Sequence, residues 1–189
     1  MAQLYFRYST MNAGKSTEIL KIAHNYEEQN KHALLLTPAI DDRYGKGKIT
    51  SRMGFQKEAI ICDSRIDMYA IIADAHPDCV LVDEGQFLTR QQVITLTHVV
   101  DKLHIPVIVY GLKNDYRNRL FEGSEALLLF ADKIEEIKAV CWHCPKKATM
   151  LIKYKDGHPV NEGAQIEIGG NDKYVSVCRK CYSARLELK

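Results

Sequence analysis

Apolar residues along the chain fall into short continuous runs separated by stretches that are apolar on one side only. Leu4-Tyr5-Phe6, Ala33-Leu34-Leu35-Leu36, Cys79-Val80-Leu81-Val82 and Val107-Ile108-Val109-Tyr110 each read as a strand buried on both faces. Pro38 stops the second run and Pro106 introduces the fourth. Between the first two, Lys15 to about Glu28 carries Ile19, Ile22, Ala23 and Tyr26 at helical spacing. A second helix is predicted over Asp67 to Ala75, with Asp63 or Ser64 as its N-cap and Pro77-Asp78 as its end. A third opens at Thr89, where Gln92 completes a capping-box pattern and Val93, Leu96, Val100 and Leu103 trace a buried stripe. Residues 41–58 carry Gly45, Gly47 and Gly54 among mixed charges with weak periodicity, and read as a mobile loop.

Strands apolar throughout, alternating with helices, predict an α/β fold: a parallel sheet flanked by helices on both faces. After about residue 140 the pattern changes. Cysteine pairs and glycines replace helical periodicity, which places a boundary between a main domain, 1–140, and a small C-terminal subdomain, 141–189.

Composition narrows the class. With 26 Lys and Arg against 24 Asp and Glu, and the signs interleaved, the chain lacks the basic excess of a dedicated nucleic-acid binder. No run of about eighteen apolar residues exists to span a bilayer, and the first residues do not read as a secretory signal, so a cytoplasmic protein without membrane attachment is expected. In a reducing compartment six cysteines are thiols or metal ligands rather than a disulfide framework.

Ser9-Thr10-Met11-Asn12-Ala13-Gly14-Lys15-Ser16-Thr17 lies between the first strand and the first helix, the position a phosphate-binding loop requires. Gly14 lets the backbone approach the phosphates, whose charge meets amide N–H groups and the helix N-terminus. Lys15 would reach the β- and γ-phosphates of ATP, and the Ser16 hydroxyl would hold Mg²⁺. The general pattern has glycine at the first position, where this chain has Ser9. Asp83-Glu84 ends the third strand, and ligands of open α/β sheets bind at the carboxyl ends of strands. Asp83 is then the partner of the metal, through water, and Glu84 is left for proton transfer.

Cys141-x-x-Cys144 and Cys178-x-x-Cys181 supply four thiolates, enough to close a tetrahedral structural Zn²⁺ site. The competing readings are buried apolar cysteines or a redox pair. The gap between the pairs exceeds ribbon spacing, so residues 145–177 form a loop tethered at both ends; it is either a lid over a ligand or a plain hairpin excursion. Cys62 and Cys79 sit in apolar segments and read as core residues.

Taken together, Ser9–Thr17, Asp83-Glu-Gly-Gln-Phe87, the two Cys-x-x-Cys pairs and Ile168-Gly-Gly-Asn-Asp-Lys-Tyr-Val-Ser-Val-Cys178 resemble the zinc-containing type II thymidine kinases, bacterial members in particular, over essentially the whole chain. The resemblance implies a P-loop NTPase-type sheet with a C-terminal zinc-ribbon subdomain. It implies ATP-dependent phosphorylation of the 5′-hydroxyl of thymidine, and of deoxyuridine, in pyrimidine salvage. Bacterial members share the absence of the first loop glycine. By the same likeness Glu84 is the general base, and Asp83, Gln86 and Arg43 join the loop in binding ATP and magnesium. Met11, Phe87, Leu112, Tyr116 and Phe121 surround the nucleoside, and Gly169, Gly170 and Tyr174 belong to a lasso closing over the base. A homotetramer and feedback inhibition by thymidine triphosphate (dTTP) are likewise implied by the family.

Two other classes compete. An acid pair beside a phosphate loop is also the layout of an ATP hydrolase, with Glu84 activating water. A zinc-ribbon adaptor for protein or nucleic acid would need its basic residues clustered on one face.

Overall fold

The computed structural model describes residues 1–39, 47–63, 65–166 and 173–188. In chain order it comprises β1 (Leu4–Ser9), α1 (Lys15–Glu28), β2 (Ala33–Pro38), β3 (Lys48–Thr50), β4 (Gln56–Glu58), β5 (Ile60–Cys62), α2 (Met68–Ala75) and β6 (Cys79–Val82). A 3₁₀ turn (Gly85–Phe87), α3 (Arg90–Leu103), β7 (Val107–Leu112), α4 (Glu122–Phe130) and β8 (Lys133–Glu136) follow, then β9 (Met150–Lys155), β10 (His158–Val160), β11 (Tyr174–Val177) and α5 (Arg179–Ser183).

Six strands form one sheet in the order β5-β2-β6-β7-β1-β8, every pairing parallel. Side chains alternate across it. Leu4, Phe6, Leu34, Leu36, Val80, Val82, Val107 and Val109 pack against α2, α3 and α4, with Ile72, Val93, Leu96 and Leu127 among the facing residues. Leu35, Leu81 and Tyr110 point the other way, onto Ile19, Leu20 and Ala23 of α1. Both faces are therefore covered, which is why these strands are apolar without interruption.

Helix boundaries follow local chemistry. The Thr89 hydroxyl accepts from the Gln92 N–H while the Gln92 side chain accepts from the Thr89 N–H, so the capping box is formed. At α2 the N-cap is Asp67, whose carboxylate accepts from Ala70 N at 3.0 Å, rather than Asp63; Ser64, the other candidate, lies outside the described residues. The reading of 41–58 as a loop is corrected in its second half: β3 and β4 pair as an antiparallel hairpin around Ser51–Gly54. Residues 41–46 lie outside the described residues. The pattern of apolar runs gave no warning of α4, β5 or β8. β8 is the edge strand Lys-Ile-Glu-Glu, whose charges suit an exposed edge and erase the apolar signal.

Beyond the main sheet, β10-β9-β11 make a three-stranded antiparallel sheet with its own core of Ile152, Val177 and Tyr182 beside the cysteine pairs. It is joined to the main sheet by specific bonds. Ser176 Oγ donates to the Met11 carbonyl at 2.8 Å, and Tyr182 Oη to the Tyr116 carbonyl at 3.2 Å. Cys62 and Cys79 are buried in the main sheet, as expected for core residues, and burial pushes their thiols up to about 12 and about 11. No helix among the described residues is long and apolar enough to cross a membrane.

Candidate active site

β6, β7 and β1 are neighbours in the sheet, and their carboxyl ends bring Asp83, Leu112 and Ser9 side by side. A cleft of about 390 Å³ opens there, in the size range of small-molecule sites. Its lining includes Met11 to Thr17 with Glu84 and Gln86, and also Phe87, Leu112, Tyr116, Phe121, Leu151 and Tyr174.

The chain turns sharply between β1 and α1, where Met11 to Thr17 line the cleft. Asn12 and Gly14 both take left-handed conformations, with φ of 65° and 83°. Ser9 is not among the positive-φ residues; it is the last residue of β1, paired with Leu112, so the missing glycine is not required there. A Cβ on Gly14 would meet nothing within 4 Å, so the glycine serves the backbone angle and the approach of a ligand rather than packing. Lys15 is buried, and its ammonium donates to Ser9 Oγ at 3.0 Å and to the Thr10 carbonyl at 3.2 Å. The positive head is thus held over the loop beside the N-terminus of α1, whose first N–H groups lack helical partners and favour an anion.

Asp83 follows β6 and is buried. Its Oδ2 accepts from Ser16 Oγ at 2.9 Å and its Oδ1 from the Glu84 N–H at 2.9 Å. Burial first, and then the neighbouring Glu84 charge, raise the Asp83 carboxyl to about 7; the Glu84 N–H, Lys15 and the Ser16 hydroxyl pull the other way. The pair Ser16–Asp83 offers hard oxygen donors, a chemistry that suits Mg²⁺ beside phosphates.

Glu84 itself is left-handed, φ 50° and ψ 38°. Such a conformation in a non-glycine residue costs about 1–3 kcal/mol and persists where the surroundings over-determine it. Here the surroundings are identifiable. Gln86 Nε2 donates to Glu84 Oε2 at 2.5 Å, while Gln86 Oε1 accepts from the Leu112 N–H at 2.9 Å. Gln86, expected beside ATP and magnesium, is buried with its carboxamide bridging Glu84 to the end of β7. Gly85 makes room for this: a Cβ there would sit 2.2 Å from Val109 Cγ1.

The aromatic end is walled by Phe87 and Phe121, edge to face at 5.9 Å, and by Tyr116 and Tyr174, tilted at 6.1 Å. Tyr116, Tyr174 and Leu151 form a buried cluster with Met11 and Leu112 against it, so this wall is shared between the two sheets. All the described residues expected around a nucleoside line the one cleft; Arg43, Gly169 and Gly170 lie outside the described residues.

Several lining residues had no counterpart in the sequence reading. Thr50, Ser51, Arg52 and Met53 reach the cleft from the β3–β4 hairpin, Asp115 from the loop after β7, and Gln165 and Ile166 from the segment before β11. For the hairpin a signal existed, since Ser51-Arg-Met-Gly54 has serine and glycine at the first and last positions of a type I turn.

The four remaining cysteines converge. Their sulfur atoms all lie within 4.8 Å of one another, with Cys144 and Cys178 at 3.6 Å. The edge of a tetrahedral zinc–thiolate site is about 3.8 Å, from Zn–S bonds of about 2.3 Å. Burial pushes the Cys141 thiol up, but N–H donors from Cys178 and His143 outweigh it and lower the thiol overall. The donor set fits a structural zinc ion.

The family model described as thymidine kinase matches residues 2–182. A thymidine kinase of Lactococcus lactis is 56% identical over 184 residues, covering 96% of this chain and 97% of that one. One from Streptococcus pyogenes is 55% identical with the same coverage, and one from Listeria monocytogenes 56% identical over 186 residues, 97% of each chain. Among solved structures, a Pif1 helicase chain on forked DNA aligns with a TM-score of 0.39 at 14% identity, over 72% of this chain and 39% of that one, a likeness too loose to bear on fold or function. With a phosphate loop, an acid pair, an aromatic-walled cleft and four convergent cysteines in one chain, and with relatives this similar end to end, the protein belongs to the thymidine kinase family.

Proposed function

We propose that the cleft holds ATP by its phosphates and thymidine by its base, and transfers the γ-phosphoryl group to the nucleoside 5′-hydroxyl. Family membership gives the reaction, thymidine kinase, and disfavours the hydrolase reading. The roles of individual residues are our assignment, and one observation carries them: Glu84, held off its relaxed conformation and tethered by Gln86, lines the same cleft as the phosphate loop and the aromatic wall.

In this scheme the loop amides from Asn12 to Ser16 and the Lys15 ammonium bind the phosphates and neutralise charge as it shifts toward the leaving oxygen. Glu84 accepts the proton of the 5′-hydroxyl. The freed oxygen pair forms a bond to the γ-phosphorus as the bond from that phosphorus to the β–γ bridging oxygen breaks, and ADP departs. Ser16 and Asp83 would hold Mg²⁺, which when bound adds charge neutralisation between the phosphates. Cys141, Cys144, Cys178 and Cys181 hold a structural Zn²⁺, and 141–189 acts as the zinc-binding subdomain that supports the nucleoside wall. Met11, Phe87, Leu112, Tyr116, Phe121 and Tyr174 receive the base; stacking on such rings contributes about 1–3 kcal/mol per base. Deoxyuridine fits the same description.

Because phosphate loop and aromatic wall share one cleft, a thymidine carrying three phosphates would span both, which supports feedback inhibition by dTTP. A homotetramer is the oligomer the family suggests.

The test is ATP consumption with and without nucleoside. ADP should form only when thymidine or deoxyuridine is added, in step with the nucleoside monophosphate. Rapid ADP formation without nucleoside would favour a hydrolase instead.

A further inference from the structure

Tyr116 is the most constrained residue of the aromatic wall, buried to 1% exposure. Its backbone is held from two sides. Asp115 Oδ1 accepts from the N–H groups of Arg117 and Arg119, which fixes the turn, and Tyr182 of the cysteine-bearing helix donates to the Tyr116 carbonyl. A ring alone would suffice to pack against Tyr174 and Leu151. The hydroxyl does something else: it sits 3.1 Å from the Glu162 carbonyl and 3.0 Å from the Ala164 carbonyl, one hydrogen facing two acceptors.

The strap bearing these carbonyls has no regular structure from 161 to 166. Between them, the Gly163 carbonyl accepts from Arg117 Nη1 at 3.0 Å, so three consecutive carbonyls are met by two adjacent side chains. One residue later, Gln165 Nε2 returns a bond to the Leu120 carbonyl at 3.1 Å. Gly163, at φ 121°, could not carry a side chain without placing its Cβ 3.1 Å from the Tyr116 oxygen. The approach is close and specific, and its product is the placement of Gln165 and Ile166 on the wall of the cleft.

We infer that the Tyr116 hydroxyl is a positioning group: it seats the 162–166 strap so that Gln165 and Ile166 complete the nucleoside end of the cleft, and thereby sets affinity for the pyrimidine nucleoside without touching the phosphoryl transfer. The inference rests on the reading of that end as the nucleoside site.

Tyr116→Phe keeps the ring and removes only the oxygen. Loss of a hydrogen bond of ordinary strength predicts a thymidine KM raised about three- to tenfold, with ATP KM and kcat within about twofold and a melting temperature lowered by no more than about 2–4 °C. Amide hydrogen exchange over 162–166 should quicken in the same variant. Arg117→Ala, which removes the neighbouring clasp, should raise the thymidine KM in the same direction. A thymidine KM left unchanged by Tyr116→Phe overturns the inference, whether or not strap exchange quickens, as does an equal rise in both KM values. The wild-type assay separates the two ideas: if it shows no thymidine-dependent turnover, the nucleoside reading itself has failed.

Discussion

At φ 50° Glu84 occupies backbone space that a side chain adopts only under constraint, and the constraint runs through two neighbours. Gly85 lets the chain pass within reach of β7, and Gln86 ties the Glu84 carboxylate to the Leu112 N–H. Glu84→Gln keeps shape and removes basicity, so kcat should fall by about 10²–10⁴ while ATP binding is retained; equilibrium binding and steady-state assays on one preparation decide it. Gln86→Leu keeps the Glu84 carboxylate and removes its tether; if that carboxylate is the base, as proposed, kcat should fall about 10–10²-fold. Asp83 offers a pH test. Its carboxyl is raised from 3.8 to about 7 by burial and then by the Glu84 charge, so the folded chain binds that proton more tightly than the unfolded one. The stability it contributes is complete below pH 3.8 and is lost as pH rises through about 7. With divalent cations chelated, the wild-type melting temperature should fall across that window more than that of Asp83→Asn. Equal slopes would mean that Asp83 is ionised throughout.

Among the elements, α3 shows how a local pattern and a tertiary role coincide. Its capping box closes the N-terminus with two reciprocal bonds, and its stripe of Val93, Leu96 and Val100 faces the sheet that presents the acid pair. Thr89→Ala should lower stability by about 0.5–2 kcal/mol in denaturant titration and leave KM values alone, because neither Thr89 nor Gln92 lines the cleft. The β3–β4 hairpin makes the opposite point. Three-residue strands carry too few positions for period-two alternation to stand out, so a segment that lines the cleft with Thr50 to Met53 looked shapeless in one dimension.

For the molecule as a whole, specific bonds couple the smaller sheet to the main one, among them Ser176 to the Met11 carbonyl of the loop before α1 and Tyr182 to the Tyr116 carbonyl of the aromatic wall. Both donors sit close in sequence to Cys178 and Cys181. Removing the metal should therefore raise the thymidine KM before it unfolds the main sheet. Thiol titration follows the same event. The metal-loaded native protein should be inert, the chelated native protein should expose the four clustered cysteines, and only denaturation should release all six, since burial holds Cys62 and Cys79 protonated. Six reactive thiols in the chelated native state would show that the main sheet opens with the metal.

The sequence by itself determined whatever depends on neighbours in the chain. The span of α1 from Lys15 to Glu28, the strands β1, β2, β6 and β7 of the central sheet, the capping box at Thr89 and the loop-lysine-serine order all follow from spacing and local hydrogen bonding. Two cysteine pairs could also be read as a candidate metal set from their spacing, and the convergence of the four sulfurs came from the fold. Tertiary structure alone decided which strand lies beside which, and so that Ser9, Asp83 and Leu112 share one rim. It decided that the Gln86 carboxamide oxygen meets the Leu112 N–H and that the Tyr116 oxygen meets carbonyls nearly fifty residues away. Contacts of that reach are set by the packing of whole elements against one another, and no local pattern of polar and apolar residues records them.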